Sequence, residues 1–316
     1  MNNKVRYFNW LEIYMVVIKN QKFRAKMPLK SPNFSCLEQY SKIRDNNKMK
    51  NILLIRGLSR EKRHWGEFPE LLERALAMKV HTLDNLGVGE FYQEKTPVTI
   101  RENVDFLQEL FEKLYTENPG EWYLLGISLG GMFVTEWAQR INPFKKIFVI
   151  NSSFKNLSPL FDRLTPYALQ MMTKSFVLSG QKQEEIIYAL TSYRGPTSEH
   201  GYFKTNEWLG YRNQYPMSRE NFFRQLACAA TYKLEKKPKN DMVFISAKGD
   251  ELCKWTCGKA IADFCDSPFY LCEEPSGHDL PMDCPEFIID VLHKEIEFPS
   301  QYPRDADSIT ENLSAL

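Results

Sequence analysis

The chain has 316 residues, of which 43% are hydrophobic, enough for a sizeable core and for one large α/β domain with an insertion. Its net charge of +1 gives no electrostatic support for a nucleic-acid partner. No stretch approaches the roughly 20 apolar residues of a transmembrane segment. The seven cysteines are odd in number and lie mostly on predicted core elements, which favours reduced thiols in a cytoplasmic protein.

The chain begins with a basic extension. Residues 1–50 contain 11 Lys/Arg against 3 Asp/Glu, which leaves a net charge of −7 for the rest. The apolar run Trp10–Ile18 spans only nine residues and contains Glu12, so it does not resemble an export signal. We interpret residues 1–48 as disordered or as a misassigned start (Met27 and Met49 are alternatives), in preference to an arm that binds a membrane surface or an acidic partner. The sequence does not identify a partner for this extension.

Beyond the extension, strand-like and helix-like segments alternate. The predicted strands cover 51–56, 79–84, 121–127, 146–151, 242–248 and 268–272. The predicted helices cover 66–78, 99–117, 129–142, 253–265 and 285–296. This alternation, with almost continuously apolar strands, predicts a mostly parallel sheet with helices on both faces. Ligands of such sheets bind beyond the carboxyl ends of the strands. Residues 299–316 contain few apolar side chains and are predicted to be a disordered tail.

The first predicted strand ends in Arg56-Gly57-Leu58, and the third runs into Gly126-x-Ser128-x-Gly130. The second pattern is typical of a nucleophile elbow, a sharp strand-to-helix turn that projects a serine from its tip. Glycines at 126 and 130 avoid the collision that side chains would make in so tight a turn.

A long insertion separates the strand that ends at Asn151 from the strand that begins at Met242. It contains 90 residues, whereas a crossover between parallel strands needs about a dozen. Helical apolar spacing recurs within it, over Leu160–Met172, Gln183–Leu190 and Arg219–Leu234. Residues 152–241 are therefore predicted to form a separate helical unit.

Two polar residues follow the last two strands. Asp250 lies in the Gly-Asp turn after 242–248, and His278 lies in the loop after 268–272. Of the five histidines, only His278 follows a late strand. The chain order Ser128, Asp250, His278 is the order of the catalytic triads of α/β-hydrolases. Cys253 and Cys257 have no Cys/His pair nearby to complete a zinc site, so no metal is expected.

These motifs resemble those of serine hydrolases of the α/β-hydrolase superfamily, in particular small capped carboxylesterases such as the pimeloyl-carrier-protein methyl ester esterases. The matching stretches, which span roughly 49–298, are Leu53–Gly57, Asp84-x-x-Gly87-x-Gly89, Gly126–Gly131, Gly249-Asp250, Gly277-His278 and Pro285-Glu-Phe. The chain departs from the family at Arg56, where many members have histidine, and at Leu86, where proline is usual.

The resemblance implies an α/β-hydrolase core, 49–151 and 242–298, with 152–241 as a helical cap over Ser128. It also implies an oxyanion hole formed by the backbone N–H groups of Leu58 and Leu129. Because the cap segment is rich in aromatic and methionine residues, we expect an apolar pocket for small to medium acyl groups.

We therefore expect hydrolysis of a small-molecule ester or thioester through Ser128, His278 and Asp250, with an acyl-enzyme and without a cofactor. A thioesterase, an amidase or an acyltransferase would use the same three residues. A non-catalytic binding or interaction module of the same fold is less favoured, because such proteins usually lack a triad residue and this chain has all three.

Overall fold

The computed structural model describes residues 49–297. The basic extension and the disordered tail that the sequence predicts lie outside these residues. Within them, no helix is long and apolar enough to cross a membrane.

The described residues contain one six-stranded sheet in which every neighbouring pair of strands is parallel. The strands are β1 (Lys50–Ile55), β2 (Met78–Leu83), β3 (Glu121–Ile127), β4 (Phe144–Ile150), β5 (Met242–Ala247) and β6 (Phe269–Cys272). Their order in the sheet is β2-β1-β3-β4-β5-β6. The predicted parallel sheet is confirmed, and each strand lies within two residues of its predicted bounds.

Helices cover both faces of the sheet. Those that alternate with the strands are α1 (Phe68–Leu76), α2 (Ile100–Glu117), α3 (Leu129–Trp137), α9 (Trp255–Cys265), α10 (Leu280–Asp283) and α11 (Pro285–Glu297). Leu53 and Leu124 point to one face, where they join a cluster with Phe133 of α3. Leu54 and Leu125 point to the other face, where they join a cluster with Ile288 of α11. The central strands β1, β3 and β5 are almost continuously apolar because both of their faces are buried, whereas the edge strand β2 is partly exposed and contains Lys79 and His81.

Five helices lie between β4 and β5: α4 (Leu160–Arg163), α5 (Pro166–Val177), α6 (Gln181–Thr191), α7 (Glu199–Gln214) and α8 (Arg219–Thr231). Three of them begin at a hydroxyl side chain that accepts a backbone N–H of the first turn, namely Thr165, Ser198 and Ser218. The predicted helix over 160–172 is interrupted at Leu164 and Thr165, which are both extended, and Pro166 disfavours helical geometry in Thr165. Helix α7 was not predicted.

The inserted helices contact the sheet edge that carries the predicted site. Ala168, Met171, Met172 and Leu190 form a third buried cluster, against which Leu58 packs from the loop after β1. Leu58 thus contacts two buried clusters, because it also packs against the main cluster on one face of the sheet.

Candidate active site

Ser128 lies at the junction of β3 and α3 in a strained backbone conformation, with φ 59° and ψ −119°. The flanking glycines leave no room for a side chain. A Cβ at Gly126 would lie 2.4 Å from the carbonyl oxygen of Gly130, and a Cβ at Gly130 would lie 2.3 Å from that of Ile55. The local geometry is therefore a sharp strand-to-helix turn with the serine at its tip.

Asp250 and His278 are in direct contact. His278 Nδ1 lies 2.7 Å from Asp250 Oδ2, and both side chains are buried, with exposed fractions of 8% and 0%. The other oxygen, Asp250 Oδ1, accepts the backbone N–H groups of Leu252 at 2.8 Å and Cys253 at 3.0 Å. An ionised aspartate only accepts hydrogen bonds, so Nδ1 is the donor and Nε2 of the neutral imidazole is left as a proton acceptor.

The loop that carries His278 is held from three sides by residues that the sequence analysis did not select. Asn151 Nδ2 donates to the carbonyl oxygen of His278 at 2.8 Å, while Asn151 Oδ1 accepts the Ala247 N–H of β5. Asp283 Oδ2 accepts the Gly277 N–H at 2.8 Å. The N–H of Asp279 donates to the carbonyl oxygen of Thr191, at the end of α6, at 2.7 Å. The only sequence signal for Asn151 is its place directly after an apolar strand.

Hydrogen bonds hold the backbone of Ser128, whereas its hydroxyl group makes none within residues 49–297. The Ser128 N–H donates to Ile150 at 2.9 Å, and the Ser152 hydroxyl donates to the Ser128 carbonyl oxygen at 2.8 Å. Among residues 49–297, no hydrogen bond joins Ser128 Oγ to His278. The structure therefore brings Asp250 and His278 together, and it leaves Ser128 without a bond to either. Catalytic hydrogen bonds are often long in ligand-free enzymes and tighten when substrate binds.

The turn after β1 lies directly against Ser128, since a Cβ at Gly57 would be 2.9 Å from Ser128 Cβ. The turn closes with a hydrogen bond from the Arg60 N–H to the Gly57 carbonyl oxygen, and the Ser59 N–H donates to Gln225 Oε1 of α8 at 2.9 Å. Within the described part of the chain, the N–H groups of Leu58 and Leu129 donate to no other residue. Both are available to a ligand.

A small cavity of about 10 Å³, with room for about one water, is lined by Gly57 and Leu129 next to the elbow. Its apolar lining residues are Ile55, Leu83, Val88, Leu129 and Phe133, and its polar ones are Arg56, Arg60, Asn85 and Gln225. This cavity is not lined by Ser128 or by the aromatic and methionine residues of the insertion. The expected apolar pocket under the cap therefore stays a prediction.

Arg56, the residue that departs from the family pattern, has a buried partner. Its guanidinium makes two hydrogen bonds to the carboxylate of Asp279, at 2.9 and 2.7 Å, and lies over the ring of Trp65. Burial by itself would raise the pKa of Asp279, but the adjacent Arg56 guanidinium lowers that pKa below its ordinary value. This bidentate pair links the turn after β1 to the loop that carries His278.

The sequence model of the alpha/beta hydrolase family matches residues 52–291, and a search of curated proteins gave no match. Three of the similar solved structures are an enol-lactonase from Burkholderia xenovorans LB400, a putative non-heme bromoperoxidase from Mycobacterium tuberculosis H37Rv and a thermophilic esterase from Thermogutta terrifontis. Their TM-scores are 0.61, 0.61 and 0.56, and their identities 14%, 17% and 17%. The alignments cover 79%, 80% and 79% of this chain and 92%, 94% and 90% of the respective structures. At such identities the likeness shows the fold alone.

Proposed function

We propose that this chain, which belongs to the alpha/beta hydrolase family, is a serine hydrolase that cleaves a small to medium carboxylic ester. The observation that carries the proposal is the buried pair of His278 and Asp250, 2.7 Å apart. Because Ser128, Asp250 and His278 follow β3, β5 and β6 of one parallel sheet, all three belong to the same edge of it. That edge is where α/β proteins bind their ligands.

The reaction begins with proton transfer from Ser128 Oγ to His278 Nε2 while Oγ attacks the ester carbonyl carbon. Asp250 holds the imidazole in the tautomer that exposes Nε2, and its negative charge stabilises the imidazolium that forms. The carbonyl oxygen becomes negatively charged, and the N–H groups of Leu58 and Leu129 donate to it.

The imidazolium then protonates the leaving alkoxide, and an acyl group remains on Ser128. A water molecule gives its proton to His278 and attacks the acyl carbon through a second tetrahedral intermediate. The carboxylic acid leaves as Ser128 recovers its proton. Each step moves protons between Ser128, His278, the substrate and water, so this mechanism needs no cofactor.

The helices between β4 and β5 serve as the cap in this proposal. The buried cluster of α5 and α6 packs on Leu58, one of the two oxyanion donors, so these helices limit access to Ser128. A small-molecule ester or thioester suits a serine covered in this way better than a polymer does. The six cysteines of the described residues are all free thiols, which supports the proposed cytoplasmic setting.

Labelling with a fluorophosphonate tests the nucleophile, and a panel of matched ethyl esters, thioesters and amides tests the reaction class. We expect labelling of the wild-type protein and none of Ser128→Ala, since alanine fits the same turn. Ser152→Ala is the matched control. Its hydroxyl is committed to the Ser128 carbonyl oxygen, so this variant should still be labelled. Labelling of Ser128→Ala at another residue would overturn the assignment.

A further inference from the structure

Charged side chains are concentrated behind the turn that carries Leu58. Among residues 49–297, the guanidinium groups of Arg56, Arg60 and Arg212 face two carboxylates there, those of Glu184 and Asp279. Arg56 is fully engaged with Asp279, and their exposed side-chain fractions are 5% and 4%. Arg212 Nε lies 2.5 Å from Glu184 Oε1. Each carboxylate therefore has an arginine of its own, and Arg60 is the third cation.

Arg60 has no carboxylate to itself. Its side chain is 91% buried, lies over the ring of Trp208 at 3.9 Å, and approaches Glu184 Oε2 only to 4.0 Å. Its Nη2 is buried and has no hydrogen-bond partner among residues 49–297. Burial, with Arg56 and Arg212 nearby, lowers the pKa of Arg60 to about 10, which leaves it charged at neutral pH.

The surrounding titratable groups do not remove this excess charge. Glu61 is paired with Arg63 at 2.7 Å. Burial, together with Arg60 and Arg56, lowers the pKa of His64 well below its ordinary value, so that histidine is neutral. The cluster therefore has one more guanidinium group than carboxylates, and the buried Arg60 shares Glu184 with Arg212, whose side chain is one-third exposed. A buried guanidinium that shares its counter-charge and leaves Nη2 without a hydrogen bond would be stabilised by an anionic ligand.

The excess charge also lies next to the turn after β1, whose Gly57 packs against Ser128. Arg60 lines the same small cavity as Gly57 and Leu129. The hydrogen bond from the Arg60 N–H to the Gly57 carbonyl oxygen closes a four-residue turn that contains Leu58, and the ends of such a turn lie within about 7 Å of each other. The Arg60 backbone is therefore close to the Leu58 N–H group that would bind the substrate carbonyl. The cavity's one unpartnered acceptor, Asn85 Oδ1, suits a water or a hydroxyl group.

We propose that Arg60 binds a free carboxylate in the acyl part of the substrate, so that the favoured esters are half-esters of short dicarboxylic acids. This inference rests on the proposed function. A carboxylate fits better than a phosphate, since it is the more compact anion and its single negative charge matches one excess positive charge. The planar guanidinium binds it through paired N–H donors, a geometry that lysine lacks.

The test compares substrates of equal acyl length: monoethyl glutarate with ethyl valerate, and monoethyl succinate with ethyl butyrate. The quantity measured is the ratio of kcat/KM for the half-ester to kcat/KM for the neutral ester. We expect a ratio well above one for the wild-type protein and a tenfold to hundredfold smaller ratio for Arg60→Met, the range of a charge-assisted hydrogen bond. Arg60→Lys should give an intermediate ratio.

Arg63→Met is the matched control. It removes an arginine from the same segment that does not line the cavity, so it should keep the wild-type ratio. A ratio of one in the wild-type protein, or an equal fall of the ratio in Arg60→Met and Arg63→Met, would overturn the inference. Neither result would affect the proposed hydrolase.

Binding of the free acids separates the two proposals. Calorimetric titration of Ser128→Ala with glutarate and with valerate needs no turnover. Tighter binding of glutarate that disappears in the Ser128→Ala, Arg60→Met double variant supports the carboxylate site even if no ester is hydrolysed. Equal binding of the two acids, with only a water held between Arg60 and Asn85, counts against it.

Discussion

His278 and Asp279 are neighbours in the sequence, yet their side chains belong to two different buried pairs. His278 contacts Asp250 after β5, and Asp279 contacts Arg56 after β1. In the first pair, the imidazole leaves Nε2 as a proton acceptor for catalysis. In the second, two hydrogen bonds between guanidinium and carboxylate hold two parts of the site together.

The loop after β6 thus carries a side chain for catalysis and, next to it, a side chain that positions the turn after β1. Two backbone N–H groups hold Asp250, and Asp250 in turn orients the imidazole. Asp279 fixes the Arg56 end of the turn that presents Leu58. We expect substitutions in the first pair to affect turnover and substitutions in the second to affect stability.

The largest effect is expected for Asp250→Asn. The amide would favour the wrong imidazole tautomer, and an equivalent change in a serine protease lowers kcat about 10⁴-fold. Steady-state kinetics and thermal unfolding should show a similarly large loss of kcat with an intact fold. Glu251→Gln, a change at the exposed neighbouring carboxylate, is the control. If Glu251→Gln lost activity and Asp250→Asn kept it, the acid would be misassigned.

Asp279→Asn should mainly destabilise the fold. It leaves the Arg56 guanidinium buried without a counter-charge, which typically costs about 3–5 kcal/mol of unfolding free energy. Urea unfolding measures this loss. The double variant Arg56→Met, Asp279→Leu removes both charges and should recover most of it. A single variant as stable as the wild type would show that the pair contributes little.

Asp84 contrasts with Asp279, because it is a buried carboxyl group that has no arginine partner among residues 49–297. Burial raises its pKa to about 6, although the N–H groups of Lys62 and Glu90 donate to it. A raised folded-state pKa stabilises the protein below the unfolded pKa of about 4, and this contribution is lost as pH rises to about 6.

The stability of the wild type relative to Asp84→Asn should therefore fall between pH 4 and pH 7. At about 1.4 kcal/mol for each pKa unit, the expected change is about 3 kcal/mol. Urea unfolding of both proteins at the two pH values gives this difference directly. A relative stability that rises with pH would contradict the assigned direction.

Glu184→Gln should give the smallest effect. Because Glu184 is the nearest carboxylate to Arg60, its neutralisation increases the excess positive charge beside the cavity. The preference for monoethyl glutarate over ethyl valerate should then rise severalfold. Circular dichroism controls for folding, because Arg212 loses its partner as well. A preference that falls in a folded variant would count against the role of Arg60.

The sheet was predictable because strands that are buried on both faces, such as β1, β3 and β5, are almost continuous apolar runs. Ser128 was selected for a comparable reason: the elbow tolerates only glycine at 126 and 130, so the sequence there is severely restricted. The Asp250–His278 contact followed from the rule that polar residues after neighbouring strands lie at one edge of the sheet.

Helix α7 was missed because its buried face is formed by Gly201, Thr205 and Trp208, which is not an apolar stripe. Its two adjacent aromatic residues, Tyr202 and Phe203, are exposed instead, each at 61%. The periodicity of hydrophobic residues therefore carried no signal for this helix.

The buried charges were missed for a different reason. Arg56 and Asp279 are 223 residues apart in the sequence, and each alone is indistinguishable from a surface residue. An arginine at the end of an apolar strand was the one available signal that a buried counter-charge is needed.

The most direct test of the account is the identity of the acyl-enzyme. Rapid acid quenching during turnover of an ethyl ester, followed by peptide mass spectrometry, should find the acyl group on the peptide that contains Ser128. The adduct should form and decay at rates that match turnover, and it should persist longer in His278→Ala when an activated ester supplies the acyl group. An acyl group on Cys253 or any other residue, or turnover without an adduct on Ser128, would contradict the account.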